Sequence, residues 1–393
     1  MNIPIFTERS QEQAMIADSV ADIANEYDHD YWRSCTESST FPEELWQTLG
    51  DHGFLGINVP TEYGGEGLGM PAFATVTETL ATHGVPLVFL IITPAMGVIP
   101  LREHGTHDLK ERLLPGMASG ETKVAFAVTE PDAGTNTYKI STTAERDGDE
   151  YLVNGQKTYI TGAANADYIQ LVARTTPYEA VKDDDPRAGV TLLMVPTDDD
   201  GIEMTPMDLA IPEATKQYTV HFDDVRVPGE NRIGDEGEGF FCLFDALNPE
   251  RVTTNAISIG LGRFALRRAV EYAKERTVFD VPIGSHQGVQ HPLAESKIDL
   301  EMAGDANMKA ARAIKESEST AGPLANMAKY AGSVAADEAV DVAIRAHGGA
   351  GFSREYDVIT IKPMVQLLRT APVNNNMMLN HVAENVLSLP KSY

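Results

Sequence analysis

The sequence predicts an α+β protein of three domains: an N-terminal helical domain, a central β-barrel or β-sandwich domain and a C-terminal four-helix-bundle domain. Hydrophobic residues recur at helical spacing in the first and last parts of the chain, whereas short alternating and β-branched runs lie between them. The chain of 393 residues is also too long for one small core. We expect the domain boundaries at 1–122, 123–230 and 231–393.

The N-terminal domain begins with a helical pattern in SQEQAMIADSVADIANEY. The apolar residues expected on its buried face are Met15, Ile16, Val20, Ile23 and Ala24. A second short helix is predicted in FPEELWQTLGDHG, which has Pro42 in its first turn and ends at a glycine. The apolar run VPLVFLIITPAMGVIPL is interrupted by Pro86, Pro94 and Pro100, which predicts a buried helix pair rather than a membrane span.

The central domain is predicted from short runs such as KVAFAVTE, YIQLVART, GVTLLMVP and YTVHFDDVRVP. Turn signals at Asp147-Gly148 and Asn154-Gly155 separate the runs. After GENRIGDEGEGF the helical period returns and continues to the C-terminus, with breaks near Pro282, Gly322 and Gly348. The order of helices, strands and helices therefore defines the three domains.

The charge composition limits the kinds of partner. The chain has 31 basic and 58 acidic residues, a net charge of -27, which repels nucleic acid and anionic membranes. We favour a surface adapted to high salt, and an acidic docking surface is the alternative. The start, MNIPIFTERSQEQ, has no basic region followed by an apolar core, so we expect no signal peptide and a cytoplasmic protein. Cys35 and Cys242 fit neither a metal-ligand spacing nor a disulfide framework, and His104 and His107 have no third ligand nearby in the sequence.

One candidate binding motif is AFAVTEPDAGTN, in which a strand runs into a turn of small residues. The exposed backbone amides of such a turn, with the hydroxyls of Thr129 and Thr135 close by, suit a polar ring edge or a phosphate. A plain exit from strand to loop is the alternative. Neither the dinucleotide-binding glycine pattern nor the phosphate-loop lysine pattern occurs.

This motif and several that follow it closely resemble those of the acyl-CoA dehydrogenases. The matching stretches, in order, are AVTEPDAGTN, GDEYLVNGQKTYITGAANADY, VPGENRIGDEGEGF, ERTVFDVPIGSHQGVQHPLAE and RAHGGAGFSREY. The resemblance covers nearly the whole chain, and it agrees with the helix–β–helix order found from the hydrophobic patterns. It implies an enzyme that binds FAD and dehydrogenates an acyl-CoA thioester.

The resemblance also implies which residues contact FAD. Tyr159 would stack on the flavin ring and Thr161 would bond near its reactive nitrogen, whereas Arg276, Phe279 and Gln287 would reach the FAD of a neighbouring subunit. The cofactor residues implied in this way are Phe126, Val128, Thr129, Thr135, Tyr159, Ile160, Thr161, Arg276, Phe279, Gln287, Arg345, Gly348, Gly349, Asn374 and Asn376. A surface cation is the alternative for Arg276, and a helix start or turn is the alternative for the asparagines.

The catalytic base departs from the common family pattern. Many relatives carry a glutamate near the C-terminus, but here Pro372 stands at about that place, and no acid occurs between Asp357 and Glu384. Isovaleryl-CoA and long-chain members instead place their glutamate just before an arginine on the first long helix of the C-terminal domain. The segment NPERV matches that arrangement and predicts Glu250 as the base, beside Arg251.

Other interpretations of Glu250 remain open from the sequence. It could occupy the first turn of a helix and be favoured there by the helix dipole, or it could pair with Arg251. Adjacent helix positions do not face each other, so such a pair would be poorly placed. Pro249 either starts the helix or kinks it. Asp245 is a second candidate for the base.

The predicted function is therefore α,β-dehydrogenation of an acyl-CoA to the trans-2-enoyl-CoA, with electrons passed to an electron-transfer flavoprotein. Thr135, Asn248 and Arg251 are the expected substrate contacts. A homotetramer, or at least a dimer, is implied because FAD contacts cross subunits in the family. The alternatives are an oxygen-using flavoenzyme, such as an acyl-CoA oxidase or a monooxygenase-like member, and a non-catalytic acyl-CoA-binding subunit.

Overall fold

The computed structural model describes residues 9–391, and the first eight residues of the predicted N-terminal domain lie outside it. The helices of the N-terminal region are α1 (Gln11–Glu26), α2 (His29–Ser38), α3 (Glu43–Asp51), α4 (Met70–Thr82), α5 (Phe89–Ile91), α6 (Val98–His104) and α7 (His107–Ser119). Helix α1 starts with a capping box, in which Ser10 and Gln13 bond to each other's backbone N–H. Its buried face includes Ile16, Val20, Ile23 and Ala24, but the prediction for Met15 is wrong because its side chain is exposed.

The helix pair predicted from the apolar run is instead one continuous helical segment. Helix α5 passes through a π-helical turn, Ile92–Gly97, directly into α6. Pro94 lies in the π turn and Pro100 lies in α6, where it leaves the Met96 carbonyl without a helical donor. Gln170 Nε2 donates to that carbonyl at 3.1 Å, so a side chain of the β domain replaces the missing bond. The prolines are therefore accommodated without ending the segment.

The central domain contains an eight-stranded sheet. Its strands are β1 (Val124–Ala127), β2 (Thr143–Asp147), β3 (Glu150–Thr161), β4 (Tyr168–Arg174), β5 (Val190–Pro196), β6 (Ile202–Pro206), β7 (Gln217–Pro228) and β8 (Arg232–Ile233). The strand order is β6-β7-β3-β2-β4-β5-β8, and β1 pairs in parallel with β4. A register shift between β3 and β7 lies between Lys157 and Ile160, and there Tyr159 has a φ of 59°. This irregularity turns Tyr159 out of the strand pattern. A short helix, α8 (Tyr178–Val181), lies between β4 and β5.

The C-terminal region contains three long helices and two short ones. The elements are α9 (Gly239–Glu275), the hairpin strands β9 (Thr277–Val278) and β10 (Val281–Pro282), α10 (Gln287–Lys315), α11 (Ala321–His347), α12 (Lys362–Thr370) and α13 (Asn375–His381). The three long helices pack against one another, and α12 and α13 both pack on α11. The fourth helix of the predicted bundle is thus divided in two. Helix α4 also packs on α9 and joins the N-terminal and C-terminal helices into one apolar core.

Within residues 9–391, every helix is either too short or too polar to span a bilayer.

Candidate active site

Glu250 lies inside a long helix rather than at its start. Helix α9 begins at Gly239, about three turns before Glu250, and it contains Pro249 without ending there. The interpretation of Glu250 as a first-turn acid stabilised by the helix dipole is therefore wrong, because that effect fades within the first turn. Pro249 likewise does not start the helix.

The carboxyl group of Glu250 is buried and has an unbonded oxygen. The residue is 4% exposed, and its Oε2 atom is buried without a hydrogen-bond partner. Burial raises the pKa of Glu250 to about 7, although the positive charges of Arg251 and Lys329 act in the opposite direction. A carboxylate with a pKa near the working pH and a free oxygen is suited to general-base catalysis.

Arg251 does not form a salt bridge with Glu250 among the ion pairs of residues 9–391. Its Nη1 atom instead donates to Asn248 Oδ1 at 2.9 Å, and its Nε atom is buried without a partner. The structure thus brings together Asn248, Glu250 and Arg251, as the motif predicted, and it excludes the interpretation of Glu250 as one half of an ion pair. The unbonded polar atoms of Glu250 and Arg251 are free to meet a polar ligand.

Lys329 on α11 is a charged residue near Glu250 that the sequence analysis missed. Its side chain is buried, and its ammonium group donates to the Val373 carbonyl at 2.7 Å and to Asn375 Oδ1 at 2.9 Å. Burial lowers the pKa of Lys329 to about 8, and the nearby charge of Glu250 acts in the opposite direction. Lys329 is therefore a fixed positive charge whose hydrogen bonds go to the chain around α12 and α13.

The asparagine cluster is divided between two roles. Asn374 caps α13 by accepting from the Met377 N–H at 3.1 Å, which is the helix-start role left open by the sequence. Asn376 is exposed, and the unpredicted Asn375 binds Lys329. Contact of Asn374 and Asn376 with FAD stays a prediction.

Asp245 does not share the properties of Glu250. Its side chain is 53% exposed, and its Oδ2 atom lies 2.7 Å from His104 Nε2. The Asp245 carboxylate is therefore open to water and already engaged with His104, unlike the buried Oε2 atom of Glu250, which has no hydrogen-bond partner. Glu250 is the stronger candidate.

The predicted cofactor residues of the β domain form a second group. Phe126 of β1, and Val128 and Thr129 just after it, are half-buried, whereas Thr135 lies exposed in the following loop. Tyr159 is 56% exposed and presents a flat aromatic surface at the bulge in β3. Ile160 differs from the prediction, since it is 1% exposed and its side chain packs in the core of the β domain.

A buried ion pair fixes the backbone beneath Tyr159. The Lys157 ammonium donates to Glu130 Oε1 and to the Val128 carbonyl, each at 2.9 Å. Glu130 also accepts bonds from the backbone N–H groups of Ser141 and Thr142. These bonds tie the exit of β1 to β3, so Glu130 and Lys157 hold the backbone that carries Val128, Thr129 and Tyr159 in place.

A third group lies at the C-terminal helices and is exposed. Arg276 and Phe279 belong to the connection that forms the β9–β10 hairpin, and Gln287 begins α10. In the described part of the chain, the side chains of Arg276 and Gln287 have no hydrogen-bond partner. The structure does not bring this group together with Glu250 in one subunit. Its exposure agrees with the predicted contact to a neighbouring subunit, which stays a prediction.

The glycine turn after α11 is open. A side chain added at Gly348 or Gly349 would meet no atom within 4 Å, and both residues are exposed. Arg345 is paired with Glu338 at 2.6 Å, so its guanidinium is already engaged. The open turn leaves room for the backbone to approach a phosphate.

These residues fit a flavin nucleotide. An exposed aromatic ring, threonine hydroxyls, a polar loop and an open glycine turn supply the flat and polar contacts that an isoalloxazine ring and a pyrophosphate require. Among residues 9–391, no group of three His, Cys, Asp or Glu side chains is placed to hold a metal ion.

Comparison with known proteins identifies the family. The sequence matches the models of the acyl-CoA dehydrogenase N-terminal domain over residues 10–121, the middle domain over 125–225 and the C-terminal domain over 237–387. Acyl-CoA dehydrogenase FadE12 of Mycobacterium tuberculosis is 41% identical over 385 residues, which cover 98% of each chain.

Two solved structures have the same fold. A glutaryl-coenzyme A dehydrogenase in complex with glutaryl-CoA is 30% identical, with a TM-score of 0.91 over 98% of each chain. A structure of PigA with FAD and proline is 25% identical, with a TM-score of 0.90 over 97% of this chain and 99% of PigA. The matched family models together span most of the sequence and repeat the order of helical, β and helical domains. The chain therefore belongs to the acyl-CoA dehydrogenase family of oxidoreductases.

Proposed function

We propose that this protein removes two hydrogens from an acyl-CoA to give the trans-2-enoyl-CoA, and that Glu250 is the catalytic base. The observation that carries the proposal is the carboxyl group of Glu250, which is buried, has an unbonded oxygen and has a pKa of about 7. A carboxyl group with this pKa is partly ionised at neutral pH. In its ionised form it can accept the proton from the carbon next to a thioester carbonyl.

The positive charges near Glu250 limit how far burial raises its pKa. Burial alone favours the protonated form, and the positive charges of Arg251 and Lys329 oppose it. Because Lys329 bonds to other groups, it acts on Glu250 through its charge and leaves the Oε2 atom unbonded. Asn248 holds the Arg251 guanidinium at 2.9 Å, which orients the arginine beside the site.

FAD is the proposed cofactor, and when bound it would accept the hydride that leaves the carbon adjacent to the deprotonated one. Tyr159 would contact its ring, and Thr129, Thr135 and Thr161 would supply hydroxyl contacts. The exposure of Tyr159 and the bond of Thr161 Oγ1 to Gln217 support this arrangement. The likeness to PigA, which was solved with FAD, supports the same cofactor.

The proposed partners follow from the family resemblance. We assign an electron-transfer flavoprotein as the electron acceptor and a homotetramer or dimer as the assembly. The exposed positions of Arg276, Phe279 and Gln287 support an assembly in which they contact a second subunit.

The test is the variant Glu250→Gln with Asp245→Asn as its control. Both proteins are expected to purify with bound flavin. Replacing the base should slow bleaching of the flavin by an acyl-CoA about 10³-fold, whereas Asp245→Asn should keep a near wild-type rate because Asp245 is exposed. Stopped-flow absorbance measures both rates. A Glu250→Gln rate within tenfold of wild type would show that another group removes the proton.

A further inference from the structure

A second buried carboxyl group has no part in the proposed reaction. Glu213 lies between β6 and β7 and is 8% exposed. Its Oε2 atom accepts a hydrogen bond from Gln217 Nε2 at 3.0 Å, and its Oε1 atom is buried without a partner. Such a group is costly to bury, so its retention calls for a physical reason.

Gln217 connects Glu213 to a predicted cofactor residue. The amide oxygen of Gln217 accepts a hydrogen bond from Thr161 Oγ1 at 3.0 Å. Glu213, Gln217 and Thr161 thus form a continuous chain of two hydrogen bonds. It leads from a buried acid to the end of β3, two residues after the exposed ring of Tyr159.

The surroundings of Glu213 leave it able to change protonation near neutral pH. Burial raises the pKa of Glu213 to about 7, and the hydrogen bond from Gln217 acts in the opposite direction. A cavity of about 320 Å³ beside it is also lined by Thr36 and Ser39 of the N-terminal region and by Asp208 and Lys216. No salt bridge joins either of those charged side chains to Glu213 within the part of the chain that the structure describes.

The protonation of Glu213 decides which way this chain of bonds runs. An ionised carboxylate can only accept, so it requires the NH₂ end of Gln217 and turns the amide oxygen toward Thr161. The Thr161 hydroxyl then donates inward to Gln217, and its outward side can only accept. A protonated carboxyl can donate to the amide oxygen, which allows Gln217 to turn over. The Thr161 hydroxyl then accepts inward and donates outward.

We propose that Glu213, acting through Gln217, is a positioning residue that sets whether the Thr161 hydroxyl donates to or accepts from the cofactor. The proposal rests on the proposed function in one respect, the placement of FAD against Thr161. It adds a pH-sensitive element to the β domain that is separate from the base on α9.

The experiment is a pH titration of the visible absorption spectrum of the oxidised, flavin-loaded protein without substrate. We expect a spectral step with a midpoint near pH 7 in the wild type, because the hydrogen bond to the ring reverses as Glu213 ionises. Glu213→Gln should abolish the step, since its side chain has no charge to change. Gln217→Met should abolish it as well, because the connection to Thr161 is lost.

Two controls exclude other sources of the step. Glu250→Gln should retain it, which separates Glu213 from the other buried acid that titrates near neutral pH. Glu203→Gln, an exposed acid on β6, should also retain it. A step that survives in Gln217→Met, or the lack of a step in a flavin-bound wild type, would overturn the inference alone. A wild type that binds no flavin would overturn the proposed function together with it.

Discussion

Glu130 in the β domain and Glu250 on α9 are the same residue type with the same exposed fraction, yet their pKa values are shifted in opposite directions. Each is 4% exposed. Burial raises the pKa of Glu130, but Lys157 and the hydrogen bonds from Ser141 and Thr142 outweigh it and lower the pKa to about 2. Glu250 keeps an unbonded oxygen, and its pKa is about 7. The partners of Glu130 overcome the effect of burial on its pKa, whereas the positive charges near Glu250 do not.

The two lysines near these acids differ in the same way. Lys157 donates directly to Glu130, whereas Lys329 donates to the Val373 carbonyl and Asn375. Lys157 therefore forms an ion pair with Glu130, whereas Lys329 affects Glu250 only through the electrostatic field of its charge. The first arrangement holds the backbone in place, and the second leaves a carboxylate available for reaction. A buried acid that lacks partners lowers stability, and the proposed role of Glu250 as a base gives a reason for the chain to retain it.

The largest difference is expected when each acid is replaced by leucine. Glu130→Leu leaves Lys157 buried without its charge partner, which should cost about 3–5 kcal/mol of stability. Glu250→Leu removes a desolvated carboxyl that has an unbonded oxygen, so its effect should be neutral or stabilising. Denaturant unfolding with excess FAD measures both. Equal losses in the two variants would mean that bonding to partners does not distinguish the two sites.

A smaller effect is expected in the pH dependence of stability, with opposite windows for the two acids. The pKa of Glu130 is lowered from 4.5 to about 2, so its advantage over Glu130→Gln is complete above pH 4.5 and fades as the pH falls toward 2. The pKa of Glu250 is raised from 4.5 to about 7. Between these values the unfolded chain loses its proton first, so the wild type loses stability relative to Glu250→Gln as the pH rises through that window.

Unfolding midpoints of the three proteins over a pH series measure this prediction. The stability difference between the wild type and each glutamine variant is followed against pH. If both differences changed over the same pH range, the two pKa values could not be shifted in opposite directions. The comparison with glutamine keeps the size of each side chain, so the difference reports the charge.

The domain order and the motif around Glu250 were predictable because they are local. Hydrophobic period separates helices from strands, and NPERV places an acid beside an arginine within a few residues. The burial of Glu250 was not predictable from Pro249, since the proline lies inside α9 rather than at its start. The length of that helix depends on its packing against α4 and α11, which are distant in sequence.

The residues missed by the sequence analysis make their key contacts across long stretches of chain. Lys329 donates to the Val373 carbonyl, and Glu130, which follows β1, accepts a hydrogen bond from Lys157 of β3. The sequence did contain a signal for Lys157. Alternate residues of a strand face the same side, and Lys157 lies four and six residues after Val153 and Tyr151, which are buried in β3. A lysine at that parity predicts a buried partner. Glu213 had no comparable signal, since it lies in a loop without a period.

The most direct test of Glu250 as a desolvated base is its protonation state, read by infrared spectroscopy. The spectrum of the wild type minus that of Glu250→Gln isolates the carbonyl stretch of this one carboxyl group. We expect a protonated carboxyl band that is present at pH 6 and disappears with a midpoint near pH 7. A group that has already ionised at pH 5, as an ordinary glutamate would be, contradicts it.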